Sequence, residues 1–261
     1  RKKIIFHFHN KGISRHTSWM GKLLCRFAYD GTSAILLSEL LRYDVSPYFK
    51  QDNIFICANG IPEQSAKREN LVNSHTCRFL FLSNMMKEKG TLVLLEACRI
   101  LKQQYKAKFE CVFAGGWYDI PEEEFSSLIR EADLEKELKF EGPVWGEKIN
   151  LLDSNADVFV FPTYYHNECF PLVLLEAMQH QLPVVSTFEG GIPDLIEQGK
   201  NGYLVPQRNA QLLAEKLYDL VTHPERRKEM GEAALRKYKE HYTLSRFEER
   251  LKQILLTAVT T

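Results

Sequence analysis

Asp157-Val-Phe-Val-Phe161-Pro-Thr-Tyr-Tyr-His-Asn-Glu168-Cys-Phe-Pro171-Leu-Val-Leu-Leu-Glu176-Ala-Met178 joins a continuously apolar run to a stretch of helical periodicity through a polar loop. A run that is apolar at every position suits a strand covered on both faces, the environment of a parallel sheet. The following segment repeats its apolar side chains at helical spacing, with Leu172, Val173, Leu175 and Met178 on a common stripe. Strand, loop and helix in this order make half of a βαβ crossover.

The same alternation runs outward through most of the chain. Strands are expected at Ile4 to His9, Ser33 to Leu37, Asn53 to Ala58, Arg78 to Ser83, Phe109 to Ala114, Leu138 to Glu141, Asp157 to Phe161, Pro183 to Thr187 and Gly202 to Val205. Helical stretches such as Leu92 to Leu101 separate them. After Pro206 the strands stop, and helices are expected at 210–221, 225–241 and 244–257, opened by Pro224 and Thr243. The fold class is α/β with doubly wound parallel sheets. A polar stretch from Glu63 to Ser74 separates two βα blocks and marks a domain boundary. With only three strands the first block is an incomplete doubly wound domain, and residues ahead of Arg1 are expected to be missing from it.

The 261 residues correspond to about two domains. With 44% hydrophobic and 26% charged residues, and 34 basic against 34 acidic side chains, the chain is neither disordered nor a polyelectrolyte for nucleic acid. No apolar run reaches the roughly 18 residues that span a bilayer. Arg1 to Phe6 turns polar too soon for a signal peptide, so a soluble cytoplasmic protein is expected. The six cysteines show no paired spacing, which points to reduced, mostly buried thiols and no thiolate metal site.

In open α/β sheets ligands bind beyond the carboxyl ends of the strands, and three loops there carry unusual residues. Between Phe161 and Leu172 no good side-chain cap precedes the helix, which leaves its amides and positive dipole end free for an anion such as phosphate. Glu168 and Glu176 flank that point, placed to accept hydrogen bonds from sugar hydroxyls rather than to hold a metal. The plain alternative is that Glu168 only complements the helix dipole and Glu176 is a solvated surface residue. Between Ser83 and Gly90, Lys87 and Lys89 lie at a helix start, the wrong sign for the dipole unless an anion neutralises them; two solvated lysines are the alternative. Gly190 and Gly191 admit close approach of backbone to a ligand, or simply make a turn.

Taken together, Glu168 and Glu176 with Phe170 between them, Glu176-Ala-Met, Pro183-Val-Val, Gly190-Gly-Ile-Pro-Asp-Leu-Ile and Asn201-Gly-Tyr-Leu-Val resemble the C-terminal nucleotide-sugar domain of family 4 retaining glycosyltransferases of the GT-B fold. The likeness runs from Arg78 to about Leu255, and Ala58-Asn-Gly-Ile-Pro62 resembles the segment before that family's interdomain linker. The resemblance implies two Rossmann-like domains. Residues 1–63 would be the C-terminal half of an acceptor-side domain, 64–75 a linker and 76–242 the nucleotide-sugar domain. The helix of 243–261 would return toward the first domain. It implies hexose transfer from a UDP- or GDP-sugar to a glycan or lipid-linked acceptor, by family association in bacterial surface polysaccharide assembly, with neither cofactor nor metal.

By position, the resemblance assigns His9, Lys89 and Glu168 to catalysis. Donor binding falls to Asn84, Lys87, Gly142, Val144, Cys169, Phe170, Pro171, Leu172, Val173, Glu176, Gly190 and Gly191. Glu176 would take the ribose hydroxyls and Glu168 the sugar. The amides of Phe170, Leu172 and Val173, with Lys89, would hold the diphosphate, and Gly142 to Val144 would meet the base. Two positions depart from the family pattern: Asn84 where Arg is usual, so that either Lys87 substitutes or turnover is slower, and Cys169 where Gly is usual. Alternation places His7 and His9 on one strand face. His9 matches the family's sugar-facing histidine, and His7 reads as a core histidine satisfied by backbone. Arg15 to Tyr29 forms a basic amphipathic helix that either packs onto the sheet or, as in relatives with lipid-linked acceptors, touches a membrane. The competing functions are a non-catalytic nucleotide-sugar-binding module, which Asn84 favours, a nucleotide-sugar epimerase of the same fold, and a dinucleotide oxidoreductase. The last is weakened because no Gly-x-Gly-x-x-Gly follows a strand.

Overall fold

The computed structural model describes residues 3–15, 18–64 and 76–260. In chain order the elements are β1 (Ile5–Phe8), α1 (Trp19–Tyr29), β2 (Ser33–Leu36), α2 (Arg42–Val45), β3 (Ile54–Ile56), β4 (Cys77–Leu82), α3 (Thr91–Gln103), β5 (Phe109–Ala114), α4 (Glu122–Glu131) and β6 (Leu138–Phe140). They continue as α5 (Glu147–Asn155), β7 (Val158–Phe161), α6 (Leu172–Gln179), β8 (Val184–Thr187), α7 (Ile192–Leu195), β9 (Gly202–Val205), α8 (Ala210–Thr222), α9 (Pro224–His241) and α10 (Leu244–Thr260). All nine expected strands form. The first ends at Phe8, one residue before His9, and the eighth begins at Val184 rather than Pro183. Of the expected linker 64–75, residues 65–75 lie outside the described residues, as do 16 and 17 of the basic helix segment.

Two parallel sheets result. The first has the order β1-β2-β3, with Phe6 opposite Ala34 and Ile35 opposite Phe55. The second has the order β6-β5-β4-β7-β8-β9. Its chain runs outward one way from β4 to β6 and the other way from β7 to β9. Right-handed crossovers therefore place the connecting helices on opposite faces. α3 packs on α8, and α6 packs on α9. The core is rich in aromatic side chains: Phe79, Phe81, Phe113, Phe125, Phe159 and Phe161 are all fully buried. The apolar runs of β4 and β7 become its central strands because only a doubly covered position hides both of their faces.

The reversal of strand order between β4 and β7 is where an open α/β sheet splits apart its loops and leaves a crevice. The loops after these two strands are locked together at Gly90. Its φ of +87° suits glycine, and a Cβ there would lie 2.2 Å from the carbonyl oxygen of Pro162.

The segment after β3 is gripped by the C-terminal helices. Ile61 N–H donates to Tyr242 O (3.1 Å), and Leu244 N–H donates to Ile61 O (2.8 Å). The Arg250 guanidinium on α10 donates to Ala58 O at 3.2 Å. Gln179 on α6 donates to Pro62 O (3.0 Å) and accepts from the Gln64 amide (2.9 Å). No helix among the described residues is long and apolar enough to cross a membrane.

Candidate functional site

α6 starts at Leu172 beside the crevice, with Pro171 in the cap position and no side chain capping the first turn. A proline suits either the cap or the first helical position, and here it takes the cap. Its ψ of 121° is extended, so the helix opens at the next residue. The bare N-terminus is present as expected, with its positive dipole end toward the loops. Lys89 Nζ lies 2.6 Å from Glu168 Oε2, and both side chains are largely enclosed, at 20% and 11% exposure. The ammonium also sits over the rings of Tyr165 (4.7 Å) and Phe161 (5.5 Å). Lys89 is thus neither a solvated lysine nor free to disturb the α3 dipole, because Glu168 neutralises it.

Glu176 is half-buried on α6, and burial pushes its carboxyl above the usual range. The alternative of a solvated surface residue is excluded. Behind it lies Asp153 of α5, fully buried, with neither carboxylate oxygen hydrogen-bonded. The Gly190-Gly191 loop closes against the Glu168 loop: Gly191 N–H donates to Cys169 O at 2.7 Å. A Cβ on Gly190, whose φ is +54°, would lie 2.1 Å from Glu168 O. Close approach is therefore required here, between two segments of the protein itself. Cys169 is buried and its thiol is pushed up to about 11, first by burial and then by the balance of Lys11 against Glu168, Asp44 and Glu189. Such a thiol is unreactive at neutral pH. Phe170 is buried, with its ring 5.7 Å from that of Tyr242. Val173 is half-buried and Leu172 is exposed.

Farther along the same edge, Gly142 O accepts the Gly115 amide at 2.9 Å, which ties the β5 and β6 loops, and Val144 is buried below. Asn84 is exposed and faces Gly116. Lys87 is exposed too, its backbone N–H donating to Asp119 Oδ1 at 2.8 Å.

On the other sheet, His9 lies just beyond β1 in a pocket of about 570 Å³ lined by His7 to Ile13. The His7 and His9 rings are 4.3 Å apart, on one face as alternation requires. His7 Nε2 is buried and meets no backbone partner, contrary to the expectation of a backbone-satisfied core histidine. Burial, followed by the neighbouring His9, lowers its pKa and keeps it neutral.

Sequence reasoning missed the contacts that join the two sheets here. Lys11 pairs with Glu189, both side chains about one-tenth exposed. Gln207 donates to the same carboxylate at 2.6 Å, and Ser38 Oγ donates to Asp194 Oδ2 at 2.5 Å. Partners this far apart leave no local pattern. Asp153 did leave one: Ile149, Leu152, Asp153 and Ala156 repeat at helical spacing, which puts the aspartate on the inward stripe.

Two joined Rossmann-like units are the architecture of the GT-B class of proteins. Comparison supplies the family. The model described as "Glycosyl transferases group 1" matches residues 63–237, and the chain belongs to that family. It is 39% identical over 147 residues to the amylovoran biosynthesis glycosyltransferase AmsK of Erwinia amylovora, covering 55% of this chain and 35% of that protein. It is 30% identical over 207 residues to the D-inositol 3-phosphate glycosyltransferase of Corynebacterium aurimucosum, covering 74% of this chain and 48% of that protein. The chain thus spans from about a third to about half of these curated relatives. A glycosyltransferase from Rickettsia africae superposes with a TM-score of 0.85 at 20% identity, over 98% of this chain and 70% of that one. The Anabaena protein HepE, solved in complex with UDP, gives 0.85 at 18% identity, over 98% and 72%.

Proposed function

We propose that the protein transfers a hexose from a UDP- or GDP-sugar to a glycan or lipid-linked acceptor, with retention of anomeric configuration, in the cytoplasmic assembly of a bacterial surface polysaccharide. The observation that carries this reading is the enclosed Lys89–Glu168 pair beside the uncapped start of α6, with Glu176 half-buried a turn further on. A diphosphate seated on the amides of Phe170, Leu172 and Val173 meets the helix dipole and draws the Lys89 ammonium. Glu168, released from the lysine, then faces the sugar hydroxyls, and Glu176 accepts from the ribose. This arrangement gives the leaving diphosphate two sources of positive potential without a metal. AmsK, whose name places it in amylovoran biosynthesis, supports the polysaccharide setting, and HepE with UDP supports the donor class.

The acceptor hydroxyl attacks the anomeric carbon from the face that the nucleotide leaves. The bond from that carbon to the phosphate oxygen breaks, the bond to the acceptor oxygen forms, and the departing diphosphate takes the hydroxyl proton. His9, at the carboxyl end of β1, is assigned the opposite side of the sugar, and Gly142 with Val144 the base. Asn84 offers no guanidinium to the diphosphate, a feature that favours a non-catalytic binding module.

Slow hydrolysis of UDP- and GDP-hexoses in the absence of acceptor, followed by proton NMR, tests the reading. The first hexose released is expected to keep the donor's anomeric configuration, at a rate at least about 10-fold lower in Glu168→Gln. An inverted first product overturns retention, and binding without any release supports the module instead.

A further inference from the structure

Lys11 and Glu189 form a second enclosed ion pair, from opposite sheets, next to the pair of Lys89 and Glu168. Each of its side chains is about one-tenth exposed. An ion pair so enclosed contributes little net stability, because desolvation offsets the attraction. Glu189 is well supplied with other donors: the Gly190 amide at 3.1 Å on Oε1 and the Gln207 side chain at 2.6 Å on Oε2. Lys11 can therefore turn to another oxygen without stranding the carboxylate. The loop that carries Lys11 is fixed from below by buried Asp44, which accepts the amides of Gly12, Ile13 and Ser14 at 2.7, 3.2 and 3.0 Å.

The place of the pair along the sheet edge says what it can touch. The Cys169 thiol feels the charges of Lys11, Glu168 and Glu189 together, and the Gly190-Gly191 loop rests on the backbone of Glu168 and Cys169. The strand order β4-β7-β8 sets Lys89, Glu168 and Glu189 in succession, from the diphosphate seat, past the sugar position, to a point beyond it. We infer that Lys11 and Glu189 bind the hydroxyls of the donor hexose farthest from the nucleotide and select a neutral sugar over a hexuronic acid. The inference rests on the donor site proposed above. A hydroxyl both donates and accepts, so it bridges carboxylate and ammonium and satisfies both charges. A sugar carboxylate cannot donate to Glu189. It would also enter a space where the carboxylates of Glu168, Glu189 and Asp44 already outnumber the ammoniums of Lys11 and Lys89, with a diphosphate alongside. Repulsion between like charges in an enclosed site works against it.

Calorimetric titration of the unmodified chain with UDP, UDP-glucose, UDP-galactose and UDP-glucuronic acid, and with GDP, GDP-mannose and GDP-mannuronic acid, tests the inference. For the nucleotide that binds, the better neutral donor is expected to bind at least about 10-fold tighter than the uronic acid. In Glu189→Gln the neutral donor should lose at least about 10-fold and the uronic acid should gain, since Lys11 is then without its counter-charge. Lys11→Met should also weaken the neutral donor but give the uronic acid nothing, and it leaves Glu189 to Gln207 and the Gly190 amide. The bare nucleotide, which has no sugar, should bind both variants as it binds the parent, and that binding shows that each variant is folded. A parent that prefers the uronic acid overturns the inference, as do variants that bind the neutral donor like the parent. So does equal weakening of bare nucleotide and sugar nucleotide, which would make the pair a contact between the sheets and nothing more. If no nucleotide binds the parent, the donor site itself fails and this inference falls with it, a result distinct from the other three.

Discussion

Asp153 shows how a single residue can be read through its surroundings. Burial, and then the charge of Glu176, hold its carboxyl well above the ordinary range, and the buried His180 imidazole 3.9 Å away is itself kept neutral, chiefly by burial. A folded pKa above the unfolded one means that the native state keeps a proton the unfolded chain releases. Stability from this site is therefore complete below the unfolded carboxyl value, about 3.9, and is lost as pH rises toward the folded value. Asp153→Asn removes that dependence. In urea unfolding at about pH 5 and about pH 8, the variant is expected to gain on the parent at the higher pH by on the order of 1–3 kcal/mol, the scale of an uncompensated buried polar group. Parallel pH profiles for the two proteins would refute the assignment. Glu176 belongs to the same cluster, and its charge is the second cause of the rise at Asp153 after burial.

At the level of elements, three loops form the site by resting on one another. Gly190 is the tightest point, since its left-handed φ and the nearby Glu168 carbonyl leave no room for a methyl group. Gly190→Ala is expected to lower stability by about 1–3 kcal/mol through backbone strain, and to displace the Glu168 loop. The measurement is thermal unfolding together with hydrogen exchange of residues 165–170; an unchanged melting temperature with unchanged exchange would contradict the packing described. Elements of this kind were legible in advance to differing degrees. The nine strands were readable because short apolar runs bounded by turn residues leave little else to form in an α/β chain. The starting residue of α6 was not readable, because proline satisfies both the cap and the first turn. The direction in which α1 faces was not readable, since periodicity reveals a stripe but not what the stripe meets.

For the whole molecule, the crevice is held between two sheets by contacts that span most of the chain: Lys11 with Glu189, Ser38 with Asp194, and Ala58 to Ile61 with the turn into α10. In the second sheet, Lys89 and Glu168 come from the loops after β4 and β7, and Glu176 from the helix that the second of these loops enters, so the strand order brings these segments to one edge. How the two sheets meet depends on these cross-sheet pairs, which no local spacing encodes. The proposed function requires that the switch point between β4 and β7 take a sugar nucleotide without a metal, with Glu176 on the ribose. Thermal unfolding with millimolar UDP, GDP, ADP or NAD, in EDTA, for the parent and Glu176→Ala, tests it most directly. A ligand at about 100 times its Kd adds roughly 2.7 kcal/mol of stability, a readily measured rise in melting temperature. That rise is expected with UDP or GDP, and most of it should be lost in the variant if the site is the one proposed. A rise that survives in Glu176→Ala, a rise with NAD alone, or none with any nucleotide would contradict it.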